Sequence, residues 1–119
     1  MTRSDEPTAT EPPGFFQFSL AEETKADGSA TVAVSGELDL STASEMRDHL
    51  YALLARGTTQ LTVDVTGLTF IDSTGLGVIV AVLKRAREAG GNLTLKGPNR
   101  SARKVLDISG LSRIIDVVD

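Results

Sequence analysis

The stretch Phe70-Ile71-Asp72-Ser73-Thr74-Gly75-Leu76-Gly77 joins an apolar strand to an apolar helix through a turn of one acid, two hydroxyls and two glycines. Upstream, Leu61-Thr62-Val63-Asp64-Val65 alternates in the two-residue period of a strand, with a turn expected at Thr66-Gly67. Downstream, Gly75 to Ala89 has helical spacing and stops at Gly90-Gly91, after which Leu93 and Leu95 alternate up to Gly97-Pro98. A strand, a helix and a second strand in this order form a βαβ unit, whose strands run parallel with a right-handed crossover. The polar turn therefore falls at the carboxyl end of a strand, where open α/β sheets place their sites.

The rest of the chain fits around this unit. Phe16, Phe18 and Leu20 alternate with Gln17, Ser19 and Ala21, and Thr31 to Ser35 alternates again after the turn residues Lys25 to Ser29, which predicts an antiparallel hairpin. Thr42 followed by Glu45 fits a capping box, and Ala43, Met46, Leu50, Leu53 and Leu54 form one helical stripe ending near Gly57. Asn99 is placed to cap a third helix, carrying Ala102, Val105 and Leu106, that stops near Gly110. Ile114 to Val118 makes a final strand or docking segment. The predicted order is β-β-α-β-α-β-α-β: one α/β domain, with a small mixed β-sheet and helices packed mainly on one face. Residues 1–14, rich in Pro, Thr and Glu, read as a disordered tail, with the domain spanning 15–119.

Composition narrows the chemistry. The 119 residues are 40% apolar but only 4% aromatic, so the core is built from Val, Leu, Ile and Ala. The net charge of -4 argues against non-specific nucleic-acid binding and against a basic membrane patch. With no cysteine and a single histidine, disulfides, thiol catalysis and His- or Cys-rich metal sites are excluded. No run reaches membrane-spanning length, and the N-terminus has no apolar core of a secretory signal, so a soluble cytoplasmic protein is expected.

The Ser73 hydroxyl has three conceivable roles: helix cap, nucleophile or phosphate acceptor. Nucleophilic catalysis needs a base, and His49 sits mid-helix between Asp48 and Leu50, where a solvated surface residue is expected. The turn is neither a G-x-S-x-G elbow nor a Walker loop, and Gly75-Leu76-Gly77 is only a fragment of a dinucleotide fingerprint. Capping accounts for one polar residue, yet Asp72, Ser73 and Thr74 are three in a row. Phosphorylation would add about -1.5 to -2 charges. A helix N-terminus favours that charge, so the change would alter binding more than folding. Asp39 ends a strand-like segment, and if that strand neighbours residues 61–65 it joins Asp72 in an acidic rim around Ser73. Val78 and Val82 lie off the main apolar stripe of their helix, with Arg85 continuing the row. Either a neighbouring helix covers them, or they belong to a partner-binding surface.

Three motifs in order, Gly36-Glu37-Leu38-Asp39 with Ser41-Thr42-Ala43, Phe70 to Val78, and Leu106-Asp107-Ile108-Ser109-Gly110-Leu111, resemble the STAS domain of bacterial anti-sigma factor antagonists. The resemblance spans Phe15 to Asp119 and implies a STAS-like fold. It implies a binder and substrate rather than an enzyme, without cofactor or metal. The unphosphorylated form would bind an anti-sigma factor that is also a serine kinase and so release the sigma factor. Phosphorylation of Ser73 would break that complex, and a metal-dependent serine phosphatase would restore it. The partner-binding residues implied are Asp39, Asp72, Ser73, Thr74, Gly75, Leu76, Gly77, Val78 and Val82. Two other readings share this fold. One is a STAS subunit of a membrane transport or lipid-trafficking complex. The other is a nucleotide-sensing module, which would use the helix N-terminus as an anion site, although no basic residue accompanies the turn.

Overall fold

A computed structural model describes residues 17–119. The expected tail and the start of the domain at Phe15 lie outside the described residues. The elements are β1 (Ser19–Thr24), β2 (Ala30–Leu38), α1 (Ala43–Ala55), β3 (Gln60–Ile71), α2 (Ser73–Glu88), β4 (Asn92–Lys96), α3 (Arg100–Ser109), a 3-10 turn (Leu111–Arg113) and β5 (Asp116–Val118). The described strands form one mixed sheet in the order β1-β2-β3-β4-β5. β1 pairs antiparallel with β2 across the expected turn, which Gly28 closes in a left-handed conformation, and the other pairs are parallel.

The core follows from the alternation. Val32, Val34, Leu38, Val63, Leu93 and Leu95 point to one face and are buried against Met46, Leu50 and Leu53 of α1, Ile79 and Leu83 of α2, and Leu106 of α3. The opposite face presents the short polar side chains of Thr31, Ser35, Thr62, Asp64 and Thr94, all half-buried. Sequence and structure agree here, because a sheet covered on one side needs apolar residues at every second position only.

One expected turn is not a turn. β3 runs unbroken through Thr66-Gly67, and the irregularity is absorbed as register shifts against β2 between Ala33 and Ser35 and between Gly36 and Glu37. The turn residues serve a bulge instead. Asp64 Oδ1 accepts from the Thr66 amide at 3.0 Å and from its hydroxyl at 2.6 Å. A Cβ on Gly67 would lie 2.6 Å from Ser35 Oγ and 3.2 Å from Ser35 Cβ, so the bare glycine leaves room for the Ser35 side chain across the pair. Thr66 Oγ1 and Lys96 together hold the Asp64 carboxyl below its usual range, the Thr66 hydroxyl foremost. The bulge lets β3 continue as far as Ile71, which positions the turn that follows.

Candidate functional site

Two βα turns leave the same end of the sheet side by side. Leu38 of β2 and Ile71 of β3 are register partners, and the Asp72 amide donates to the Leu38 carbonyl at 3.1 Å. Asp39 and Asp72 are therefore neighbours, as expected if their strands pair, and exposed Glu37 extends the acidic rim.

One of the three capping candidates takes the cap of α2. Asp72, not Ser73, is the N-cap: its Oδ1 accepts from the amides of Thr74 at 3.0 Å and Gly75 at 3.1 Å. The sequence offered three capping candidates, and the carboxylate wins because it alone precedes the helix with an extended backbone. Ser73 becomes the first residue of α2, exposed, with its hydroxyl left out of the cap. Thr74 is half-buried behind it. Gly75 is buried because a Cβ there would meet Leu38 Cγ at 2.7 Å, so its absence lets α2 seat against β2.

At the other turn, Asp39 Oδ1 accepts from the Ser41 amide at 2.9 Å and the Ser41 hydroxyl at 2.7 Å, with the Thr42 hydroxyl oxygen 3.3 Å away. These bonds, the Ser41 hydroxyl foremost, hold the Asp39 carboxyl below its usual range. The predicted capping box does not form. The Thr42 side chain makes no cap bond and instead donates to the Glu37 carbonyl at 2.8 Å while accepting from the Asp39 amide at 3.0 Å. It ties α1 back onto the end of β2.

The valine row on α2 needs a correction. Val82 is fully buried, and Val78 is partly buried against the core. Arg85, the next member of the row, stacks on the α1 residue Tyr51 with its guanidinium 4.7 Å from the ring centre. The row faces α1, so a neighbouring helix covers it, and Val82 belongs to no exposed partner surface. Gly75 and Leu76 are likewise buried, whereas Gly77 is exposed. His49 also departs from expectation. It is a half-buried strap rather than a solvated residue, with Nε2 2.9 Å from Glu22 Oε1, and Arg56 reaches the same carboxylate at 3.3 Å. The Glu22 carboxyl sits below its usual range, chiefly through a hydrogen bond from Thr24, with His49 and Arg56 adding to it.

The periodicity did not flag the exposed apolar side chains flanking the turns: Leu40 at 78% and Phe70 at 49% relative exposure. Phe70 also walls a cleft of about 240 Å³ between the end of β3, the start of α2 and the flank of α3 that carries Ala102, Val105 and Leu106. Among the described residues, no group of three or more metal-ligating side chains clusters, and no helix is long and apolar enough to cross a membrane.

These features define a class: an α/β domain that offers an exposed serine, set in an acidic rim, at a helix start. Comparison with known proteins makes it specific. The family described as "Mlab, STAS domain" matches residues 21–118. The anti-sigma-B factor antagonist of Bacillus subtilis is 35% identical over 86 residues, which cover 72% of this chain and 78% of that protein. A Thermotoga maritima protein, solved as a candidate anti-sigma factor antagonist, superposes with a TM-score of 0.80 at 27% identity, covering 84% of this chain and 86% of that one. The Bacillus cell fate determinant SpoIIAA, solved in a phosphorylated form, shares the fold with a TM-score of 0.69 at 22% identity, over 85% of this chain and 92% of that one. The chain belongs to the STAS-domain family of anti-sigma factor antagonists.

Proposed function

We propose that this chain is an anti-sigma factor antagonist switched by phosphorylation of Ser73. Unphosphorylated, it binds an anti-sigma factor serine kinase across the two βα turns and frees the sigma factor. The kinase transfers a phosphoryl group from ATP to the Ser73 hydroxyl, and a metal-dependent serine phosphatase removes it. The chain is substrate and binder, not enzyme, and it works in the cytoplasm. The observation that supports this most is the division of labour in the turn: Asp72 makes the cap bonds, which leaves the Ser73 hydroxyl exposed and uncommitted to them.

The electrostatics fit a binding switch. A phosphate on Ser73 adds about -1.5 to -2 charges beside Asp72 and Asp39. The α2 N-terminus tolerates that charge, since its partial positive charge favours an anion there. A partner surface matched to the unmodified rim does not. Incubation with an anti-sigma factor serine kinase and ATP, followed by mass spectrometric mapping, is expected to find phosphate on Ser73 and none after Ser73→Ala. Phosphate placed elsewhere, with Ser73 untouched, overturns the reading. Ser73→Asp is expected to weaken kinase binding with little change in melting temperature.

A further inference from the structure

The outer face of α3 carries a pattern that the switch does not use. Arg100, Lys104 and Ile108 are spaced i, i+4, i+8 and make one row along the helix, with Ser101 and Val105 beside them. The inner side of the same helix is fixed by buried Leu106, so this row faces outward. Ile108 is 77% exposed and Val105 41%, an apolar surface at the C-terminal end of the row, next to exposed Lys104. The charge is also uneven. Residues 96–113 carry five of the twelve Lys and Arg side chains (Lys96, Arg100, Arg103, Lys104 and Arg113) but only one of the sixteen acids, Asp107, in a chain of net charge -4. Arg103 is paired with Asp119 at 2.7 Å.

This face is continuous with the acceptor turn. The cleft beside α3 has Ile71 and Leu76, which bracket the turn, on one wall and Ser101 and Val105 on the other, with Phe70 at its side. A partner seated across the turn meets the cleft next and the α3 row after it.

We infer that α3 is a second docking strip, taking an acidic segment of the same anti-sigma factor kinase, with an apolar side chain of that segment set in the cleft. This rests on the proposed function, and it assigns that interface two halves of opposite charge. The acidic rim around Ser73 carries the phosphate switch. The basic strip on α3 supplies affinity and orientation that phosphorylation leaves in place. Opposite charge across an interface steers encounter and fixes register, while the fully desolvated apolar anchor provides most of the affinity.

The test is calorimetric titration of the full chain with the kinase that phosphorylates it, using wild type, Arg100→Glu/Lys104→Glu, Ile108→Ser and Ser73→Asp. Because Arg100, Lys104 and Ile108 are exposed, their variants are expected to melt like wild type. The double charge reversal is expected to weaken binding about tenfold and to flatten its dependence on salt. Ile108→Ser is expected to weaken it about fivefold. If Ser73→Asp loses affinity while both α3 variants bind as wild type, the strip is wrong and the switch stands. If Ser73→Asp binds as wild type, the proposed function itself fails. Lys84→Glu, an exposed cation elsewhere on α2, controls for net charge, and an equal loss there overturns the assignment to α3. So does binding of phosphatidylglycerol vesicles that the double variant abolishes while kinase affinity is unchanged.

Discussion

The two βα turns begin almost identically and end differently. Each follows the last residue of a paired strand, Leu38 or Ile71, and each opens with an aspartate followed by hydroxyls: Asp39-Leu40-Ser41-Thr42 and Asp72-Ser73-Thr74. In the first, the carboxylate turns back on its own hydroxyls, and Ser41 spends its proton on Asp39 at 2.7 Å. In the second, the helix starts immediately, the carboxylate is drawn to the free amides of its first turn, and Ser73 is left exposed. Asp39 stands four residues before the start of α1 and Asp72 one residue before the start of α2, and that difference decides whether the neighbouring serine is tied to its aspartate or left exposed.

The two turns lie at the surface, whereas Val82 of the α2 row is fully buried. The most direct attempt to break that contrast is Val82→Asp. Val82 is fully buried under α1, so an uncompensated carboxylate there is expected to cost about 3 kcal/mol or more and to unfold a large share of the protein, visible as a collapse of the melting temperature. A variant that melts normally and loses only its partner would return Val82 to the surface.

Gly75→Val attacks the seating of one turn against the other. Its Cβ would lie 2.7 Å from Leu38 Cγ and 3.2 Å from Ile71 Cγ1, so α2 must lift from β2. A loss of about 1–3 kcal/mol is expected by chemical denaturation. Kinase affinity should fall beyond what the unfolded fraction explains, because the rim is misassembled. Gly77 faces open space, and Gly77→Ala is expected to be neutral or slightly stabilising.

Asp72→Ala isolates the cap. It removes the acceptor of two amide bonds and is expected to cost about 1 kcal/mol, whereas Ser73→Ala should change stability by only a few tenths. Equal costs for the two would mean that the serine shares the cap after all.

Much of this was legible in the sequence. The period of two in Thr31 to Ser35 and Leu61 to Val65, the Asn99 cap and the Gly110 stop all hold in the structure, because each rests on local chemistry. The Asn99 side chain accepts from Ala102 as expected. What failed depended on tertiary context. Thr66-Gly67 carries turn residues, but its neighbour β2 extends alongside and makes a bulge cheaper than a reversal. The Val78–Val82–Arg85 row looked surplus to one helix face because α1, contributing Tyr51, is invisible from within α2. The sequence leaves the cap open because it places three candidates together, and only the backbone angle at Asp72 chooses among them.

The smallest effect expected is in the acid limb of stability, and it distinguishes the two turns by their carboxylates. The Asp39 carboxyl is held below its ordinary value of 3.8, principally by the Ser41 hydroxyl. A carboxylate whose folded pKa is depressed favours the native state above its unfolded pKa, and loses that contribution as pH falls through the folded value. Asp39→Asn should therefore narrow the stability gap between pH 6 and acid: it is expected to be less stable than wild type above about pH 4 and to converge on it as pH falls through the folded value. Ser41→Ala should reproduce part of that change by removing the largest contributor. The group is exposed, so the effect is screened by salt and should shrink further when the melts are repeated at high ionic strength. If instead Ser41→Ala leaves the acid limb untouched, Asp39 is not spending its charge on Ser41. Ser41 would then be as free of its aspartate as Ser73 is of the cap bonds.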